Sequence, residues 1–86
     1  MPRISEFFGI VIYVYYEDHG PPHFHAQYGG SEAVIRIDDL SVARGSLPPR
    51  ALGLVIEWAT MHREELGAVW HQAEQMQPLS KIAPLE

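Results

Sequence analysis

His23-Phe24-His25-Ala26-Gln27-Tyr28-Gly29-Gly30-Ser31-Glu32-Ala33-Val34-Ile35-Arg36-Ile37 carries the pattern that fixes the fold: two alternating runs flank a glycine pair. Successive side chains on a strand point to opposite faces. Phe24, Ala26 and Tyr28 therefore share one face, and His23, His25 and Gln27 the other. Gly29-Gly30 is a two-residue hairpin signal, because both glycines accept the positive φ of a type I′ turn. With that turn, Tyr28 faces Ser31, Ala26 faces Ala33 and Phe24 faces Ile35. The other face pairs Gln27 with Glu32, His25 with Val34 and His23 with Arg36. A slip of one residue would mix the two sets. The expectation is that Phe24, Ala26, Ala33, Ile35 and Ile37 face the core, with His23, His25 and Arg36 turned away from it.

Outward from this hairpin, Gly9 to Tyr16 is apolar, β-branched or aromatic at almost every position, which reads as a strand buried on both faces. Glu17 to Pro22 is a loop, and Asp38 to Ser41 a turn into a short fourth strand near Val42 to Gly45. Pro48-Pro49 suits a helix start. Leu52, Val55, Ile56, Ala59, Leu66, Val69, Trp70 and Ala73 then recur at helical spacing, and the helix should end before Pro78. About 28 residues at ~1.5 Å each would span roughly 40 Å, longer than the strands beneath. Gly53 and Gly67 are thus candidate bends, Gly67 the stronger. Leu79 to Leu85 reads as a docked tail or edge strand. The fold class is α+β: a small antiparallel sheet of three to four strands packed against one long C-terminal helix, in a single domain of residues 1–86.

With 86 residues, 47% apolar and 20% charged, the chain has room for one core and is not of disordered type. It has no run of roughly 20 apolar residues to span a bilayer and no secretory-type start, so a cytoplasmic location is expected and no membrane partner. There is no cysteine, which excludes disulfides and thiolate metal sites. Net charge is −5, and the six basic residues are scattered, which argues against a broad, sequence-independent grip on nucleic acid.

Against that background Asp18-His19-Gly20-Pro21-Pro22-His23-Phe24-His25 stands out, with three imidazoles in seven positions. On a strand His23 and His25 project from one face, about 6–7 Å apart, the chelating arrangement of a His-x-His pair. A third ligand would come from Asp18 or His19 on the loop. Asp18, His23 and His25 form the candidate metal set, for a divalent ion such as Zn²⁺ with a bound water. Arg36, opposite His23, counts against a dication there.

The same residues support a metal-free reading, in which His23, His25 and Arg36 are catalytic and Asp18, His19 and Glu32 binding residues. A proton shuttle, an anion clamp and a carboxylate on one patch are the parts needed to cleave RNA, and Tyr13 and Tyr15 would add a stacking surface. The plain alternative is a solvated polar sheet face. His62 falls inside the helix's apolar arc and reads as a core histidine bonded to a backbone carbonyl; it joins the histidine face only if the helix covers that face. His71 reads as surface. Trp58 and Trp70 read as packing residues whose indole N–H reaches water.

Phe7-Phe8-Gly9-Ile10-Val11-Ile12, Asp18-His19 with Pro21-Pro22-His23-Phe24-His25-Ala26, Tyr28-Gly29, Leu47-Pro48, Trp58-Ala59, His62-Arg63-Glu64-Glu65-Leu66 and Lys81-Ile82 resemble a small bacterial family, the domain-of-unknown-function family 4160, from end to end. The resemblance implies a short stand-alone bacterial protein, often encoded beside a second small protein, as in toxin–antitoxin or related modules. It assigns no catalytic residues. Three functions follow as expectations. The first is the toxin-like member of a two-protein module, with a cognate small protein partner and a histidine-rich, ribonucleolytic effector patch acting on RNA. The second is a divalent-metal-binding module or hydrolase using His23 and His25. The third is a non-enzymatic interaction domain that adds a strand to a partner's sheet, with self-association left open.

Overall fold

Two hairpins and one edge strand make the sheet. The computed structural model describes residues 2–86; Met1, at the head of the expected 1–86 unit, lies outside the described residues. Strands β1 (Arg3–Phe7), β2 (Ile10–Tyr13), β3 (His23–Tyr28), β4 (Ser31–Arg36) and β5 (Val42–Gly45) form an antiparallel sheet in the order β1-β2-β3-β4-β5. Helices α1 (Pro49–Met61) and α2 (Arg63–Glu74) cover one face. Among the described residues no helix is long and apolar enough to cross a membrane.

The β3–β4 register is the one read from the sequence at all six pairs, from His23↔Arg36 to Tyr28↔Ser31. Phe24, Ala26, Ala33, Ile35 and Ile37 are buried in the core, as expected. The turn differs in detail. Only Gly29 of the glycine pair takes a positive φ (57°), the pattern of a type II′ turn rather than I′.

The sheet has five strands, not three or four. The added one is β1, and Gly9, expected as strand, is instead a turn residue. Phe8 and Gly9 both have positive φ (51° and 79°), the type I′ pattern, and join β1 to β2. A bulge between Arg3 and Ser5 buries both Ile4 and Ser5, which breaks the alternation and hides β1 from a period-2 reading. β2 ends at Tyr13 rather than Tyr16 and is buried on one face, with Ile10 and Ile12 inward.

The single long helix is two helices, and the break falls at His62 rather than at Gly53 or Gly67. The His62 N–H is shared between the Trp58 and Ala59 carbonyls (3.1 and 3.2 Å), with ψ at 25°. The bend carries the second apolar arc (Leu66, Val69, Trp70, Ala73) around the sheet while Val55, Trp58 and Ala59 stay on the first. α2 ends before Pro78 through its own cap: Met76 (φ 56°) donates to Ala73 O and Gln77 to Gln72 O, a Schellman pair with methionine where glycine is usual. The tail docks as extended chain. Ile82 N–H donates to Ile4 O, and the Trp58 indole donates to Ala83 O, not to water as expected; Trp58 is fully buried.

β5 is exposed throughout, yet its last residue is tightly constrained. Gly45 has φ +76°, and a Cβ there would lie 2.2 Å from the Glu32 carbonyl oxygen. Gly45→Ala should therefore cost ~1–3 kcal/mol in urea unfolding. Gly53→Ala, in open space on α1, should gain up to about 1 kcal/mol. Equal stability of the two variants would contradict this account of the edge.

Candidate metal centre

Strand alternation turns His23 and His25 to the sheet face opposite Phe24, but that face is not open to water there. The segment between β2 and β3 folds over it and is tied at both ends. The Tyr16 hydroxyl donates to Gln77 O beyond α2 (2.8 Å), and Ile37 N–H donates to Pro22 O (3.0 Å). Glu17 (φ 60°) and Gly20 (φ 92°) turn the chain between those ties. The result is a buried His25, 7% exposed, with the Tyr15 ring edge-on at 4.3 Å. His25 is turned away from the Phe24 face, as expected, yet it is buried: alternation sets its face, but not what covers that face.

Asp18 is brought over the pair. Its Oδ2 lies 2.8 Å from His23 Nε2 and 3.3 Å from His25 Nε2, while the His19 backbone N–H donates to Oδ1. The other nitrogen of each ring is also engaged. His23 Nδ1 is 2.8 Å from Pro21 O, and His25 Nδ1 is 3.2 Å from Glu32 Oε2. The carbonyl of Pro21 only accepts, so His23 Nδ1 carries a hydrogen, and a carboxylate at His25 Nδ1 asks the same of that ring. Both Nε2 atoms converge on one oxygen, Asp18 Oδ2. One donor atom from each of Asp18, His23 and His25 lies within 4.8 Å of the others. Donors about 2.0–2.1 Å from a common ion stand roughly 3.0–3.4 Å apart, so the Asp18–His25 contact (3.3 Å) has the spacing of neighbouring ligands, while the Asp18–His23 contact (2.8 Å) is shorter and has that of a hydrogen bond.

The remaining sequence candidates divide. Glu32 sits behind His25, bonded to its Nδ1 and outside the converging set. His19 is exposed and contributes its backbone to Asp18, so it is outside the converging set. Arg36 is exposed and lines a groove of about 360 Å³ with Asp18, His23 and Arg44. Tyr13 and Tyr15 lie parallel, with ring centroids 6.3 Å apart. His62 does not join the site. It packs on Trp58 and bonds Glu65 Oε1 (2.6 Å), where a backbone carbonyl was expected. Sequence reasoning missed Trp70, whose ring centroid lies 5.0 Å from that of His23, and Tyr16, which ties the loop. The helical spacing of Trp70 marked it only as core, and one hydroxyl in an aromatic run gave no signal.

Comparison with known proteins adds the family. The model for Domain of unknown function (DUF4160) matches residues 9–71. The chain belongs to the DUF4160 family. The match covers the Phe8-Gly9 turn from its second residue through most of α2, so the site lies wholly within the DUF4160 region, while β1 and the tail lie outside it. No curated protein and no solved structure matches the chain.

Partial burial pushes the Asp18 carboxyl up, but hydrogen bonds with His25, His23 and the His19 N–H outweigh it and hold Asp18 below the ordinary carboxylate range. A carboxyl lowered on folding stabilises the native state above its unfolded value, about 3.9, and that contribution is lost as pH falls through the folded value. In buffer with a chelator, Asp18→Asn should lower the urea midpoint at pH 7 and flatten its fall as pH drops below about 4. An acid limb that coincides with that of the unsubstituted protein would contradict the hydrogen bonding described.

Proposed function

We propose that this protein is a divalent-metal-binding module, with Asp18 Oδ2, His23 Nε2 and His25 Nε2 as ligands and its remaining coordination positions turned to the groove. Two imidazoles and a carboxylate suit Zn²⁺ among the common ions, and three protein ligands leave a position for water or a substrate atom. One observation carries this reading. Each histidine has its Nδ1 on an acceptor, Pro21 O for one and Glu32 for the other, while both Nε2 atoms converge on Asp18. Acceptors behind ligating histidines fix the tautomer and raise ligand basicity, which is the outer arrangement of metal-bound imidazoles.

The metal-free ribonucleolytic reading, with His23, His25 and Arg36 as acid, base and clamp, has less support. A general acid or base must reach its proton within hydrogen-bond distance, yet His25 is 7% exposed with both nitrogens engaged, and His23 Nδ1 is bound to Pro21. The toxin-like role in a two-protein module rests on family resemblance alone and is compatible with a metal centre.

Untagged protein, stripped and titrated with Zn²⁺, should bind about one equivalent with a raised melting temperature that a chelator reverses. Asp18→Asn and His25→Ala should lose that binding, and Glu32→Gln should weaken it roughly 10- to 100-fold, each variant checked for folding by circular dichroism. Sub-stoichiometric zinc unaffected by any of the three overturns the proposal.

A further inference from the structure

The outer sheet face beside the candidate centre holds two guanidiniums. The register sets their places: Arg36 lies directly across from His23, and Arg44 lies across Val34, which is itself across from His25. Adjacent strands are about 4.8 Å apart, so Arg36 sits one strand from a ligand and Arg44 two strands from the other. Both line the groove of about 360 Å³ that reaches Asp18 and His23. Among the described residues neither guanidinium is ion-paired with a carboxylate within 4.0 Å. Asp39 feels the charge of Arg36, but its carboxylate accepts hydrogen bonds from Ser41 N–H and Oγ instead. The chain has a net charge of −5 with six Lys and Arg in total, so two of them beside one small groove make a local exception.

From this placement we infer that the groove binds a phosphoryl group bearing two negative charges, its oxygens shared between Arg36, Arg44 and the ion held by Asp18, His23 and His25; this rests on the metal-binding reading above. Guanidinium forks match the oxygens of phosphate in paired, charge-assisted hydrogen bonds. Asp18 and Glu32 offset the charge of a dication and leave the two guanidiniums for the incoming anion. A single terminal phosphate fits this charge better than a long polyanion, because the acidic remainder of the surface repels an extended nucleic-acid backbone.

Inorganic phosphate titrated by calorimetry into the zinc-loaded protein tests this, with metal content measured separately on every sample. The expected result is saturable phosphate binding that a chelator abolishes. Arg36→Ala and Arg44→Ala should each weaken it about tenfold or more with zinc stoichiometry unchanged. Acetate should bind far more weakly, and a single-stranded RNA oligomer without a terminal phosphate should not compete. Zinc bound normally with phosphate binding absent, or indifferent to both arginines, overturns this inference and leaves the metal centre standing. Equal phosphate binding in chelator removes the link to the ion, and an RNA oligomer that competes equally rules out the terminal-phosphate class. If zinc itself does not bind, the metal-binding reading fails first and this one with it.

Discussion

The β3–β4 register is the constraint on which the rest depends. One residue of slip would put His23 and His25 into the core and Phe24 outside, because the side-chain period on a strand is two. Six consecutive pairs hold the register, closed by Gly29-Gly30 at one end. At the other, the Pro22 carbonyl accepts from Ile37 beyond β4 and Pro21 O accepts from His23. The same few residues thus finish the sheet and seat His23. The core side of the hairpin, with Phe24 against Trp58, supplies the apolar burial that keeps the polar side in place.

The loop is the second part of the scaffold, and the bent helix makes it stiff. A straight helix would leave the end of the sheet at His23 uncovered. The break at His62 turns α2 so that Trp70 lies against His23 and the chain after α2 offers Gln77 O to Tyr16. Asp18, on a nine-residue connection with two prolines and a glycine, is therefore carried between fixed points rather than on a free loop. This is the usual division of labour, with chemistry on a loop and its placement set by regular elements.

What could be read from the residues was whatever repeats. Alternation gave the β3–β4 register and the buried set, and helical spacing gave the apolar arcs and the docking of Leu66 and Trp70. Features that break a period were not legible. The bulge at Ile4 puts two adjacent side chains inward and disguises β1, and the bend at His62 comes from one N–H shared between two carbonyls, those of Trp58 and Ala59, rather than from glycine. At the site the histidine pair and the neighbouring Asp18 were visible as a cluster. Their convergence was not, because it depends on contacts 61 residues apart, Tyr16 with Gln77. The burial of His25 was missed for the same reason: alternation assigns a face but does not say whether another segment covers it.

A cluster of two histidines and two carboxylates can be balanced in two ways, by protons or by a divalent ion. With protons alone, each ring has oxygen partners at both nitrogens. The ring centroids are 5.4 Å apart, with Asp18 bonded to both rings and Glu32 to His25. On the metal-binding reading proposed above, a divalent ion would sit where donor atoms of Asp18, His23 and His25 converge, with each ring's Nδ1 on Pro21 or Glu32. Glu32 then has a role that a simple ion pair would not need: it orients His25 from behind. Its own backbone is held where the close approach of Gly45 lets β5 lie against it, with Ser46 N–H on the Glu32 carbonyl. The exposed edge strand thereby supports the centre from outside, and through Arg44 it also carries positive charge to its rim.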